Sequence, residues 1–475
     1  MYPLITKRPA HSIASFLRLL TGLVIDRLAA IVVPHAPGPS YASAPVPMNQ
    51  IRIFAVVIAG VLLATQVRAQ NEPTVSANDT ARFLAGMQLS PDSPLAQIAQ
   101  DPNIKQHAAH FDAAFDKVEK NQLSKIRAWS AVNLTAPKPV MYYMFGGPDF
   151  LYASEFFPNA TTYVLSGLEP VGQIPDILKL QRWSVVQALR NIQGSLRNVL
   201  TLSYFITAHM SQDLNAGPVN GTLPILYVFL ARSGKTIHAV NLVHLDEQGA
   251  LQQGEGIRPR APARGVKIMF SENNGPQKTL YYFSTNLADE RGKSNALLQF
   301  TKSLGQGDSF VKSASYLLHS SEFSQVRNFI LDYSNVILQD DTGVPVRLLD
   351  TAKWQLRPFG RYVGPIALFE GMYQPKLSEL YQKSQPGPIE FGVGYRWYGN
   401  QSNLLLATRN PAAPEVTASI SKDAPARSAD VETAPVERRP VYQARPKPPK
   451  DEVPFLFFPF FLLMQPQQQS QPVPQ

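Results

Sequence analysis

The sequence predicts an α/β protein: a mixed sheet built on strand–helix–strand units, with added β-hairpins and an N-terminal helical region. Three stretches carry that expectation. Val140 to Gly172 (VMYYMFGGPDFLYASEFFPNATTYVLSGLEPVG) reads as strand, Gly-Gly turn, short helix, Pro-Asn stop, second strand and acidic exit. Ser313 to Pro345 (SASYLLHSSEFSQVRNFILDYSNVILQDDTGVP) repeats that order. Between them, two apolar runs flank Asn274-Gly275, a strong turn signal for a hairpin.

In chain order, residues 78–102 read as short helices separated by the Ser90-Pro91 and Ser93-Pro94 turns. Ile104 to Trp129 is the clearest helix, because Ile104, Ala108, Phe111, Phe115, Val118, Ile126 and Trp129 recur at three- and four-residue steps. His107 and His110 lie beside that face; no third metal ligand is near, so they read as structural. In the first unit, Pro148 and Asp149 suit a helix start and Pro158-Asn159 a stop. Asp176 to about Asp213 reads as helical, with Gly194 a candidate interruption. Ile225–Ala231 and Thr236–Leu245 read as a first hairpin around Ser233-Gly234, and Val266–Ser271 with Thr279–Ser284 as a second. Gly254 to Gly265 is a loop whose Arg258, Arg260 and Arg264 either grip an anion or face solvent. Asn295–Leu304 reads as a helix. The second unit follows, with a strand at Ala314–Leu318, a helix at Glu322–Tyr333 and a strand at Val336–Leu338. Its parallel with the first unit raises an internal duplication; two unrelated elements of similar composition are the alternative. Such units set parallel strands side by side with the helix across one face. Trp354–Tyr362 and Leu404–Thr408 then read as strands, Lys376–Lys383 as a helix, and Phe391–Tyr398 as strand or loop.

The folded part spans residues 78–409, and both ends differ from it. Met48 to Gln70 (MNQIRIFAVVIAGVLLATQVRAQ) has a basic start, a short apolar core and a small-x-small exit. That is the layout of a secretory signal peptide, cleaved after Ala69. Its apolar run would span about 18 Å as a helix, short of a bilayer core of about 30 Å. Export to a periplasmic or extracellular space follows as the expectation. Residues 1–47 precede this signal and read as a non-native extension. Residues 410–453 are rich in Pro, Ala and alternating charge, the composition of a disordered linker. Residues 454–475 end the chain: PFLFFPFFLLM (Pro454–Met464), then a Gln/Pro tail. The apolar segment suits a membrane surface, a groove on the protein itself, or a partner protein.

Composition removes several function classes. The chain has no cysteine, which excludes disulfides, thiolate metal sites and Cys nucleophiles. Its net charge is +9, but six of its 44 basic and one of its 35 acidic residues precede residue 70, leaving +4 for the remainder. That is too mild for a nucleic-acid partner, and no basic stripe with aromatics appears. Gly234-Lys235-Thr236 resembles the end of a P-loop, but Phe229 stands where a glycine is needed. Gly307-Asp308-Ser309 resembles an esterase nucleophile block without a strand leading into it, and no G-x-S-x-G occurs. Gly146-Gly147 before a helix, with Glu169 some twenty residues on, is an incomplete dinucleotide fingerprint. None of these patterns names a cofactor.

The acidic strand exits are the candidate site. Ligands of open α/β sheets gather at the carboxyl ends of strands. Glu169, Asp340 and Asp341 belong there, and His319 on the neighbouring turn completes a set suited to acid–base or metal-assisted chemistry. Helix capping and turn formation are their structural alternative. Asp149, Gly146, Gly147, Tyr142 and Tyr152 are the ligand-binding candidates of the first unit.

The GGPDFLYASEFFPNATTYVLSGLEPVG segment, with SASYLLHSSEF and LQDDTGVP, resembles a family of uncharacterised bacterial exported proteins over roughly Arg82–Arg409. The resemblance implies export and one folded region, and no activity. Two functions stay open. One is ligand or partner binding through a cleft lined by Tyr142, Phe150, Tyr152 and Phe156. The other is a hydrolase or lyase in which Asp149, Glu169, His319, Asp340 and Asp341 converge.

Overall fold

The computed structural model describes residues 75–205, 217–253 and 261–411. The signal-like Met48–Gln70 segment, the end of the expected Asp176–Asp213 helix beyond residue 205, Gly254–Arg260 and the tail beyond residue 411 lie outside the described residues.

The N-terminal helices are α1 (Ala77–Leu84), α2 (Pro102–Val118) and α3 (Ser124–Asn133), the last two joined through a π-turn at Glu119–Leu123. Asp101 caps α2 by accepting from the Asn103 N–H, and Pro102 fills the first turn. The expected apolar stripe is buried: Ile104, Phe111, Phe115, Val118 and Ile126 all face inward. His107 is buried and His110 exposed, so the pair splits. The His107 Nε2–H donates to Leu84 O at 2.9 Å, and Gln193 Nε2 donates to His107 Nδ1 at 2.8 Å.

The first strand–helix–strand unit is β1 (Val140–Tyr143), α4 (Phe150–Phe156) and β2 (Thr162–Gly167), with β1 and β2 parallel. A long helix, α5 (Arg182–Leu202), runs through Gly194 without interruption. Next comes α6 (Leu223–Arg232), where a strand was expected. Its residues from Leu223 to Ala231 are all buried, so the run shows no period that separates strand from helix. Pro224 in its first turn, and burial on every side, decide for helix.

The antiparallel wing is therefore β3 (Lys235–Leu245), β4 (Leu251–Gln253), β5 (Ala263–Glu272) and β6 (Lys278–Ser284). The expected β5–β6 hairpin forms, with Asn273 and Asn274 both at positive φ in its turn. After α7 (Ala296–Ser303), the second unit is β7 (Gly307–Val311), α8 (Ser324–Tyr333) and β8 (Ser334–Gln339). Its first strand precedes the expected Ala314–Leu318, which is a turn running into a short 3-10 helix at Leu317–His319. Asp308 and Ser309 enter the buried strand because they are satisfied there. Asp308 accepts from the Lys138 and Val336 N–H groups, and Ser309 bonds Ser334. The chain closes with β9 (Trp354–Gly360), α9 (Pro375–Lys383) and β10 (Asn403–Arg409). Phe391–Tyr398 is loop.

All ten strands form one mixed sheet in the order β4-β3-β5-β6-β2-β1-β7-β8-β10-β9. The five central strands, β6 to β8, are parallel, and the flanking strands are antiparallel. Alternate residues serve two cores. Met141, Tyr143 and Phe310 pack with α1–α6, whereas Val140, Tyr142 and Val311 pack with α7–α9. Helices α4 and α8 thus cover opposite faces. From the β1–β7 pair, one unit steps toward β2 and the other toward β8, and crossovers of one hand going opposite ways require opposite faces.

His107 makes the helical layer acid-sensitive. Burial lowers its pKa from the usual 6.5 to about 4. Below 6.5 the unfolded chain takes up a proton that the folded ring resists, so stability is lost as pH falls from 6.5 to 4. The contribution is at most about 3 kcal/mol. His319, lowered to about 4 by its own burial, acts in the same window. In urea unfolding at a series of pH values, His107→Gln should flatten this slope by about half.

Candidate functional site

The crossovers leave the parallel β1–β7 pair in opposite directions, and this opens a crevice at the carboxyl ends of the parallel strands. Its volume is about 260 Å³. Residues following β1 (Phe145, Gly147), β2 (Leu168, Glu169), β6 (Leu287, Ala288) and β7 (Ser313, Ala314) line it, with Tyr204, Phe205, Phe323 and Tyr395. Open α/β sheets bind ligands at such a switch point.

The floor is an ion pair. Asp149 caps α4, its Oδ1 accepting from the Tyr152 N–H at 3.2 Å. Its Oδ2 accepts from Tyr143 Oη at 3.1 Å and from Lys312 Nζ at 2.8 Å. Lys312 follows β7, and both partners are almost wholly buried. The same ammonium donates to Ser203 O and lies 4.4 Å from the centre of the Tyr152 ring. Dehydrating each ion costs several kcal/mol, which only near-complete pairing offsets. Here both Asp149 oxygens have donors, and the ammonium has an anion, a carbonyl and an aromatic face. Burial first, and the Asp149 charge second, hold the Tyr143 hydroxyl well above its ordinary pKa, so it stays a donor.

Two glycines let the first unit's turns meet. Gly147 has φ +57°, and its N–H donates to Ser166 O at 2.9 Å. A Cβ on Gly167 would stand 2.7 Å from Glu169 Oε2 and 2.9 Å from Gly147 Cα. Glu169 is thereby buried against the crevice, its carbonyl accepting from Tyr282 Oη at 2.8 Å.

The opposite wall follows Lys312 and is conformationally unusual. Ser313, Ser315 and Tyr316 have φ of 52°, 50° and 56°. Each such non-glycine residue costs of order 1–3 kcal/mol unless its surroundings hold it. Those surroundings are Asp340–Thr342. Asp340 accepts from the Ser313 N–H at 2.9 Å and the Thr342 N–H at 2.9 Å. Thr342 Oγ1 accepts from the Ala314 N–H at 2.8 Å, and Asp341 accepts from Tyr316 Oη and Asn403 Nδ2. Tyr395 Oη donates to Ser313 O at 2.9 Å. Ser313 Oγ is buried without a partner.

The candidates from the sequence therefore separate. Gly146, Gly147, Asp149 and Glu169 line the crevice. Asp340 and Asp341 brace its wall from behind. His319 stands outside it, edge-on to Tyr316 with ring centres 5.2 Å apart, its Nε2 unpartnered. Tyr142 faces the other side of the sheet, where its hydroxyl donates to Thr301 O and Gly305 O. Phe150, Tyr152 and Phe156 are core residues rather than a groove lining; Tyr152 reaches the site only as the ring beneath Lys312. Among the described residues, no group of three or more His, Asp or Glu could hold a metal ion. The expected convergence of five acid–base groups is thus absent, because Asp149 and the Asp340–Asp341 pair are engaged in separate networks. Lys312, Ser203 and Tyr395 were not anticipated. The available signal was a single Lys in the otherwise apolar and small run FVKSASYLL.

No family model, curated protein or solved structure matches this chain.

The floor yields a direct test. Lys312→Met leaves a buried, unpaired carboxylate and should lower unfolding free energy by about 3–5 kcal/mol in urea titration. The same change at Lys293, whose pair with Glu290 is largely exposed, should have almost no effect.

Proposed function

We propose that the protein is an exported ligand-binding protein that takes a small organic molecule into the crevice between the β1 and β7 exits. One observation carries the reading: a cavity of about 260 Å³ at the topological switch point, apolar and aromatic over most of its wall, with a few fixed polar groups. Phe145, Leu168, Phe205, Leu287 and Phe323 suit a flat or aliphatic body. The polar edge at Glu169, Ser315 and Thr285 suits one hydroxyl or amine on it. Export is supported by the signal-like Met48–Gln70 segment. No helix among the described residues is long and apolar enough to cross a membrane.

Ala288 lines the crevice and is only partly buried, so Ala288→Trp fills the space without entering the core. Small aromatic and aliphatic alcohols and amines, screened by saturation-transfer NMR, should include binders. Their affinity should fall at least about tenfold, or about 1.4 kcal/mol, in Ala288→Trp. An absence of binders, or binders indifferent to that change, would overturn the reading.

A further inference from the structure

Large apolar side chains gather in the open at one end of the sheet. Among the described residues nine are exposed, and five of them, Leu168, Val363, Met372, Tyr373 and Tyr398, flank strands at the carboxyl end. Strands β8 and β9 both pair antiparallel with β10, so the connection from β9 to β10 begins and ends on the crevice side. Four of the five lie in that connection, and its turns are tied together. Tyr373 stacks on Tyr362 with ring centres 5.7 Å apart, and a Cβ on Gly364 would stand 3.3 Å from the Tyr373 ring. Arg396 donates to Gly364 O at 3.1 Å, which joins the turn before Tyr398 to the turn after Val363. The patch borders the crevice without lining it. Phe369, in the same connection, has its ring 5.4 Å from that of Tyr395, which does line the crevice. A contiguous apolar patch of this kind marks a contact surface.

One segment of this chain matches the patch. Pro454–Met464 (PFLFFPFFLLM) holds five Phe, three Leu and one Met, and no charge. No Lys or Arg occurs from residue 454 to the end of the chain, so the segment lacks the basic face with which interfacial segments hold a lipid surface. The tether also has the right length. Strand β10 ends at Arg409, one strand length of about 24 Å from the Gly360–Asn403 pair beside the patch. The 42 residues from 412 to 453 then precede Pro454. A chain of that length has an end-to-end distance of about 35 Å. It spans the gap and presents the segment to the patch at an effective concentration in the millimolar range.

We propose that Pro454–Met464 docks on the apolar face of its own chain formed by Val363, Met372, Tyr373 and Tyr398, beside the crevice mouth. Its Phe and Leu side chains remove that face from water and are themselves removed from water by it. The contact does not rest on the ligand reading, because none of these four residues lines the crevice.

The lack of cysteine in the chain allows a single label. Gln465→Cys in the full chain, carrying a benzophenone and irradiated at micromolar concentration, should crosslink within one chain to peptides covering 361–376 or 395–398. Met372→Glu combined with Tyr373→Glu changes two exposed side chains and should cut that yield at least about fivefold. Vesicles of phosphatidylcholine and phosphatidylglycerol should leave the yield unchanged. Crosslinks to other surfaces, crosslinks only between differently labelled copies, no crosslinks, or a yield indifferent to the double variant would each overturn the docking. Loss of the crosslink on adding vesicles would overturn it too, and would assign the segment to lipid. The crosslink map of the otherwise unaltered chain decides by itself if the double variant does not fold. Failure here would leave the binding screen with Ala288→Trp untouched, and the reverse holds.

Discussion

The contact between Lys312 and Asp149 governs the carboxyl end of this sheet. It ties the exit of β1 to the exit of β7, the two neighbours whose crossovers leave in opposite directions. Three elements meet through it. Asp149 starts α4, Tyr143 ends β1, and Ser203, at the end of α5, presents its carbonyl to the ammonium. A cation at a helix carboxyl end is favoured by the helix dipole, so the bond to Ser203 adds to the pairing rather than competing with it. An apolar pair could fill the same volume, but it would not set the angle of three separate segments through directional bonds.

The site combines a rigid floor with a tense wall. On the floor, opposite charges are matched and the turns fit because Gly147 and Gly167 leave room. In the wall, two buried carboxyl groups brace a backbone in a sparsely populated conformation. Both features follow strands of the same central sheet, within one crevice. The matched ion pair and the strained backbone thus lie in turns after neighbouring strands, at residues 149 and 313.

How far the sequence disclosed this depends on the residue. The first strand–helix–strand unit was legible because β1 and β2 are punctuated by Gly147, Pro148 and Pro158, and the β5–β6 hairpin because its turn carries Asn273 and Asn274. Helix α6 was misread because a run buried on every side has no period. Strand β7 was missed because Asp308 and Ser309 look like loop residues until Lys138, Val336 and Ser334 arrive to satisfy them. Aromatic density pointed to Tyr142, Phe150, Tyr152 and Phe156, but large rings fill cores as readily as clefts. Lys312 was invisible for a different reason: its meaning lies in a partner far away in the chain, and no local pattern encodes a tertiary ion pair.

A double-mutant cycle on this pair tests the central claim most directly. Unfolding free energies of the parent, Lys312→Met, Asp149→Asn and the double variant separate the pairwise interaction from the loss of either side chain. If the pair organises the site, the double variant will cost less than the two single changes together by more than about 2 kcal/mol. Additivity within about 0.5 kcal/mol would mean that the two ions are independent and that the crevice is held by something else.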